Sequence, residues 1–401
     1  MSATTTSDPS AALNPSVSSA LMPIMIVVFI AFLIIGMALP VLPLHVHKSL
    51  GMSTFIVGLV AGSQFVASLV SRVWSGHYAD SRGTKPAVLA GLAAAVAGGL
   101  LYLLSLCLVG RPSLSVAILL LGRAVLGAAE SYIITGGVSW GLALAGQANA
   151  GKVIAWVGMA MFAALALGAP LGTALYNFGG FAGIATATAL MPLASMLIVV
   201  PLAAIPPHRG ARSQLLKVAL TVWMPGLGSA LSSIGFGTMI AFSSLLAAQR
   251  NWNPLWLLFS AFAIALVAAR LFLGHLPDRI GGAKVALISV LIEAGGLYLI
   301  WLAPAQGVAV VGALLTGLGF ALVYPGLGIE AVRRAPPQSR GLAMGAYTAF
   351  LDVALGFGSP ALGLIAGWAG LGSVFLAGSV VVLCASVIAT RLLLAPHPAR
   401  T

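Results

Sequence analysis

Charge is what this sequence has least of. Only 6% of its 401 residues are charged, and seven are acidic. A soluble domain carries about 25% charged residues, so this chain has too few to cover a water-facing surface. That excludes an ordinary soluble enzyme. A disordered chain needs low hydrophobicity with high charge and is excluded as well. Cysteine is nearly missing. Cys107 and Cys384 both sit in apolar runs, which implies no disulfide and no metal site. The sequence contains no His-Glu-x-x-His, no Gly-x-Ser-x-Gly and no polar segment long enough to fold as a catalytic domain. An integral-membrane enzyme would need a catalytic cluster at one membrane face, and none is visible.

What fills the chain is apolar sequence: 60% hydrophobic residues and a mean hydropathy of +1.09. The 48 Gly and 22 Pro lie largely inside apolar runs without a collagen period, as in membrane helices, where both are common. A transmembrane barrel would alternate in segments of about 10 residues, and the runs here are longer and continuous. The fold class predicted is an all-α polytopic membrane protein. Runs near 21–44, 53–75, 86–109, 114–142, 152–177, 181–205, 218–246, 254–273, 285–303, 307–330, 341–366 and 370–394 each reach the ~20 apolar residues a bilayer crossing needs. Residues 1–20, rich in Ser, Thr, Ala and Pro, predict a disordered tail, because they lack the basic start of a signal peptide.

The net charge of +12 would suggest nucleic acid in a soluble chain, but the cations are scattered in short clusters between apolar runs. With the N-terminus inside, thirteen of the 19 Lys and Arg fall on one side: Arg82, Lys85, Lys152, Arg209, Arg212, Lys217, Arg279, Lys284, Arg333, Arg334, Arg340, Arg391 and Arg400. Lys48, Arg111 and Arg250 fall on the other. The positive-inside rule then predicts cytoplasmic termini. Arg72 and Arg270 sit at inner helix ends, and Arg123 lies within a helix.

An internal repeat divides the chain. Gly76-His77-Tyr78-Ala79-Asp80-Ser81-Arg82-Gly83 returns 198 positions later as Gly274-His275-Leu276-Pro277-Asp278-Arg279-Ile280-Gly281. Gly151 precedes Gly168-Ala169-Pro170 by 17 positions, and Gly341 precedes Gly358-Ser359-Pro360 by the same number. Two parallel six-helix halves are predicted: 21–205 and 218–395, joined by the basic linker 206–217 and followed by a short tail, 396–401. Repeats of this kind build transporters.

The segment Gly76 to Lys85 resembles motif A of the major facilitator superfamily, with matches at Gly76, Ala79, Asp80, Gly83 and Lys85 and departures at Tyr78, Ser81 and Thr84. The copy at Gly274, Leu276, Asp278, Arg279, Gly281 and Lys284 keeps the family's Asp-Arg pair. The resemblance covers about 21–395. It implies a twelve-helix fold in two pseudo-symmetric bundles and a conformational latch in the loop between helices two and three. In that latch an Asp can face a helix N-terminus, and the flanking cations Arg82 and Lys85 can hold carboxylates or carbonyls across the halves; a simple positive-inside turn is the other reading. Arg123 to Glu130 resembles motif B. Arg123, Gly127 and Glu130 lie at i, i+4 and i+7 on one helix face, with the two charges about 10 Å apart along the axis. Proton coupling, with Arg123 and Glu130 as central charges and Glu130 free to exchange protons, and a static structural charge pair both remain open. Gly158, Gly168, Pro170 and Gly172 resemble motif C of the antiporter branch, with Gly-Ala-Pro in place of Gly-Pro. Generic glycine packing is the other reading.

Intramembrane acids are functional candidates. Asp352 is open between proton or substrate binding and a packing hydrogen bond. For Glu293 a structural role leads, and Glu330 beside Arg333 and Arg334 suits a salt bridge. Gln64, Tyr132, Trp223, Ser232, Ser233, Tyr324, Tyr347 and Phe350 are candidates to line a cavity, and His45, His47 and Lys48 read as an exposed loop. The stretch Tyr324–Glu330, with Pro336–Gly341, Leu351-Asp352 and Glu130-Ser131, resembles the YhhS/YfcJ-type subgroup of bacterial inner-membrane carriers. Together these resemblances imply a secondary transporter in the bacterial inner membrane, working as a monomer without cofactors and without nucleic acid. Its expected activity is proton-coupled export of a small organic compound. Proton-coupled uptake of a sugar or organic acid is the alternative, and an enzyme or a channel is remote.

Overall fold

The computed structural model describes residues 15–146, 150–204, 220–335 and 340–394. Residues 1–14, the linker 206–217, the tail 396–401 and the side chains of Lys152 and Arg340 lie outside the described residues. The described chain is helical: α1 (Pro15–Ala38), α2 (Thr54–Arg82), α3 (Thr84–Leu106) and α4 (Pro112–Ala145) come first. The helical stretch Ala150–Val199 is interrupted at Gly180, at φ 60° and ψ −157°, which divides it into α5 (150–179) and α6 (181–199). There follow α7 (Trp223–Gln249), α8 (Leu257–Leu273), α9 (Gly282–Leu302), α10 (Gln306–Arg334), α11 (Arg340–Ala369) and α12 (Leu371–Leu394). Helix α1 starts at Pro15, inside the segment expected to be a tail. Proline suits a first helical position, where its missing N–H is not needed.

Among the described residues ten helices are long and apolar enough to span a bilayer, and the one from Trp156 to Val199 has 44 residues, enough for two crossings once broken at Gly180. Helix α8, with 17 residues, reaches about 25 Å. Twelve crossings result.

The packing repeats from half to half. Pairs α1–α5, α2–α4, α3–α4 and α3–α6 have counterparts α7–α11, α8–α10, α9–α10 and α9–α12. The two halves meet along α2–α11 and α5–α8. In α1 and α7, 83% of the most apolar window is buried, against 33–56% in the other spans, so these two helices stand at the centre. Large apolar side chains also point outward, Phe178, Leu197, Trp368 and Leu394 among them. That is the surface a lipid bilayer covers.

Backbone geometry carries the repeat to the atom level. Gly83 (φ 100°) and Gly281 (φ 97°), 198 positions apart, turn the chain into α3 and α9 in a conformation that glycine adopts without penalty. The remainder of the first motif is not a loop. Gly76 through Arg82 form the last two turns of α2, because nothing in that stretch breaks a helix before Gly83. In the second copy Leu276–Ile280 is a short separate helix, since Gly274 and Pro277 interrupt the pattern.

Candidate functional site

Helices α2 and α4 are joined by a ladder of polar contacts. Gln64 Nε2 donates to Glu130 Oε2 at 2.8 Å, the Ser68 and Ser131 hydroxyls lie 3.1 Å apart, and Ser75 Oγ and Thr135 Oγ1 lie 3.2 Å apart. The two backbones come close enough that a Cβ on Gly127 would strike the Gln64 carbonyl. This fixes Glu130 against Gln64 and directs it into a cavity of about 320 Å³. Both halves line that cavity. Gln64, Arg72, Glu130 and Phe162 come from the first, and Arg270, Tyr324 and Asp352 from the second. Its apolar wall includes Phe32, Phe65, Phe236 and Phe320.

Four charged side chains face this space. Arg72 and Asp352 form an ion pair across the two halves at 2.6 Å, with the Asp352 side chain 3% exposed. Glu130 holds Gln64. Arg270 lies with its guanidinium carbon 3.9 Å from the centre of the Phe162 ring and donates from Nε to the Ala321 carbonyl at 3.3 Å. Tyr324 reaches Thr348 at 2.6 Å, and behind it the buried Tyr347 donates to the Tyr324 carbonyl at 2.8 Å.

Among the described residues the cavity continues toward one end of the bundle. A second space of about 690 Å³ shares Gly158, Phe162, Arg270 and Tyr324 with it and runs past Gly274, Val332 and Arg333 toward the basic end of the bundle. At the opposite end the halves are shut. Thr54 Oγ1 donates to the Gly363 carbonyl at 2.7 Å, and Gly58 and Gly62 of α2 press on the backbone at Ser359 and Gly356 of α11. The short turn Leu42–Leu44 after α1 touches α7 at the same end.

Several expectations are corrected. Arg123 does not form a charge pair with Glu130. It is 1% exposed and donates to the Val60 and Ala61 carbonyls of α2 at 3.2 and 3.3 Å. An Arg in hydrocarbon needs acceptors, and the close backbone of α2 supplies them nearer than the carboxylate seven positions along. Lys85 does not reach across the halves. Its ammonium donates to the Val200 and Leu202 carbonyls beyond α6, both at 2.7 Å, where the unpaired C-terminal carbonyls of a helix attract a cation. Asp80 and Asp278 are exposed and pair with no cation among the described residues. Arg82 lies over the Tyr78 ring at 5.9 Å, while Arg279 and Lys284 are exposed. Among the described residues no ion pair joins the two halves at the basic end.

Of the cavity candidates, Gln64 and Tyr324 line the space and Tyr347 stands behind it. Tyr132 instead packs on Tyr78 with ring centres 5.6 Å apart. Trp223, at the start of α7, is 49% exposed, a place where an amphipathic ring anchors at an interface. Ser232 donates to Glu293 Oε2 at 2.6 Å inside the second half, away from the cavity. Glu330 pairs with Arg334 at 2.8 Å and Arg333 at 3.4 Å on its own helix. His45 is buried and stacked on Phe181 at 4.3 Å rather than exposed in a loop. In α5, Gly168 and Gly172 press on Gly36 and Met37 of α1, and Gly158 faces the Arg270 guanidinium. The helix runs through Pro170 unbroken.

Arg72 and Arg270 do not stand out as site residues in the sequence, where both read as markers of inner helix ends. The missed signal is spacing. Gln64, Ser68, Arg72 and Ser75 recur at helical intervals and form a polar stripe in an otherwise apolar helix.

The family model described as Major Facilitator Superfamily matches residues 24–253 and 225–401. An uncharacterized MFS-type transporter of Salmonella typhimurium is 41% identical over 382 residues, covering 95% of this chain and 98% of its own. The uncharacterized MFS-type transporter YhhS of Escherichia coli is 37% identical over 364 residues, covering 91% and 90%. Among solved structures, a D-xylose–proton symporter superposes with a TM-score of 0.78 at 14% identity, covering 94% of this chain and 98% of that one.

Proposed function

The chain belongs to the major facilitator superfamily, and from that premise we propose that it is a secondary active transporter working by alternating access and coupled to protons through Glu130. The supporting observation is a carboxylate without an ion-pair partner, Glu130, in a cavity built by both halves that continues toward the basic end among the described residues. The halves rock around this site, so that the α2–α11 contacts close one face while the basic end opens. Glu130 has a single partner in Gln64, an amide, and carries no direct ion pair among the described residues. A proton and a substrate that each bias the same two-state element are thereby coupled. Asp352 belongs to the same machinery through its bridge to Arg72.

The direction proposed is export of a small organic compound, on the resemblance of Gly158, Gly168, Pro170 and Gly172 to the antiporter motif. In this proposal the protein works as a monomer in a bacterial inner membrane with both termini in the cytoplasm, on the positive-inside distribution of its cations, so the basic end faces the cell interior. One observation favours proton-coupled uptake of an organic acid as a second reading. Arg270 shares the cavity with Glu130, so neutralising Glu130 leaves the space positive, and proton and anion assist each other in binding.

The test uses purified protein in liposomes loaded with a pH-sensitive dye, together with a ligand found by thermal-shift screening. Adding the ligand to wild-type vesicles should move protons, inward or outward according to the direction of coupling. Glu130→Gln should bind ligand and move none. A Glu130→Gln protein that still concentrates ligand against its gradient at the expense of a pH gradient would refute the role of Glu130.

A further inference from the structure

The cavity holds two cations in different circumstances. Arg72 is neutralised by Asp352 at 2.6 Å. Arg270 has no carboxylate partner among the described residues, and only its Nε donates, to the Ala321 carbonyl. Its terminal nitrogens have no acceptor there. Gly158 faces them without a side chain of its own, and even a Cβ at that position would only reach ordinary contact, 3.9 Å from Arg270 Nη1. The Phe162 face, 3.9 Å from the guanidinium carbon, holds the plane of the fork. Arg270 also lines both the central cavity and the passage to the basic end, so a solute using that route meets it. A charged group inside a membrane protein is costly unless something answers it, and here one carbonyl and one ring face answer it without a counter-charge.

We propose that Arg270 is the recognition site for an oxyanion of the substrate, and that the transported compound is a small organic anion, a carboxylate on an apolar or aromatic body. The guanidinium fork matches a carboxylate with two parallel hydrogen bonds. The Phe-rich wall takes the apolar part, and a volume of about 320 Å³ is at the small end of organic-ligand sites. The proposal rests on reading this cavity as the substrate site.

The test is a thermal-shift and direct-binding panel on the purified full chain, in which aromatic and aliphatic carboxylates are compared with the amide and the amine of the same skeleton. Carboxylates should stabilise the wild type and their amides and amines should not. Arg270→Gln should weaken carboxylate binding by about 30-fold or more, while Arg270→Lys, which keeps the charge and loses the fork, should retain part of it. A measurement independent of substrate identity uses Thr348→Cys on the cavity wall, with Cys107 and Cys384 changed to Ser. An anionic thiosulfonate should react there faster than a cationic one, and Arg270→Gln should abolish that preference. Equal binding of an amide or amine, or undiminished carboxylate binding by Arg270→Gln, overturns the proposal. If no acid in the panel binds, the reagent ratio decides, and a ratio unaffected by Arg270→Gln is fatal. The two readings fail separately. Carboxylate binding without proton movement removes the coupling and leaves the anion site, and amide binding with proton movement does the reverse.

Discussion

A single methyl group at Gly62 should shift the whole transporter between its two conformations. Gly62 on α2 faces the Gly356 carbonyl on α11 at the closed end, and a Cβ there would lie 2.5 Å from that oxygen, where ordinary contact begins at 3.4 Å. Both partners are helix backbone, so no side chain can swing away. Gly62→Ala therefore asks the two halves to part by about 0.9 Å at this level, and overpacking of this kind costs about 1–3 kcal/mol. The conformation in which this end is open has α2 and α11 separated already and accommodates the methyl without strain. The equilibrium should move toward that conformation by about 5- to 150-fold. Spin labels at Lys48→Cys and Trp368→Cys, near the closed end on opposite halves, report it by electron–electron double resonance. Cys107 and Cys384 are changed to Ser to leave only those labels. A longer distance should gain population in Gly62→Ala. A control pair at the basic end, Ser81→Cys with Arg333→Cys, should shorten in step. If both distributions match the wild type while the melting temperature is unchanged, close packing of α2 on α11 does not hold this conformation and the reasoning is wrong.

Two further substitutions separate structural cations from mechanistic ones. Arg123→Met leaves the Val60 and Ala61 carbonyls without their guanidinium, and should lower the unfolding free energy by about 1–3 kcal/mol. Ligand-driven proton movement per folded molecule should be unchanged, and its loss would return Arg123 to the coupling machinery. Lys85→Ala removes the ammonium from the Val200 and Leu202 carbonyls, at a cost of about 1 kcal/mol. Because both acceptors belong to the same half as Lys85, the distance distributions at both ends should stay put, and a shift in either would show that Lys85 takes part in the gate.

The substitutions fall into these classes only because of where each side chain ends up, and the sequence carries that information unevenly. Helix α4 presents Arg123 and Glu130 on one face in sequence and in structure alike, yet the two meet different partners. Which acceptor an intramembrane Arg finds depends on how closely α2 approaches, and Gly127 permits that approach without announcing what lies opposite. The polar stripe of Gln64, Ser68, Arg72 and Ser75 was legible as a period, but its complement on α4 was not. Trp223 and Tyr132 have the chemistry of cavity residues, and the rotation of α7 and α4 turns them elsewhere.

By itself, the sequence determined everything that depends on solvent and chain length. Scarce charge and long apolar runs dictate membrane helices, because backbone polar groups in lipid must be satisfied within the helix. The 198-residue repeat dictates two equivalent halves, and it reappears in the positive φ of Gly83 and Gly281. Only the tertiary structure decided which charges cancel. Pairing of Arg72 with Asp352 joins residues 280 positions apart, and it is this pairing that leaves Arg270 alone. Burial in a helix is a one-dimensional property that composition can report, whereas the neutralisation of a charge is a distance between helices, and no periodicity along one helix encodes it.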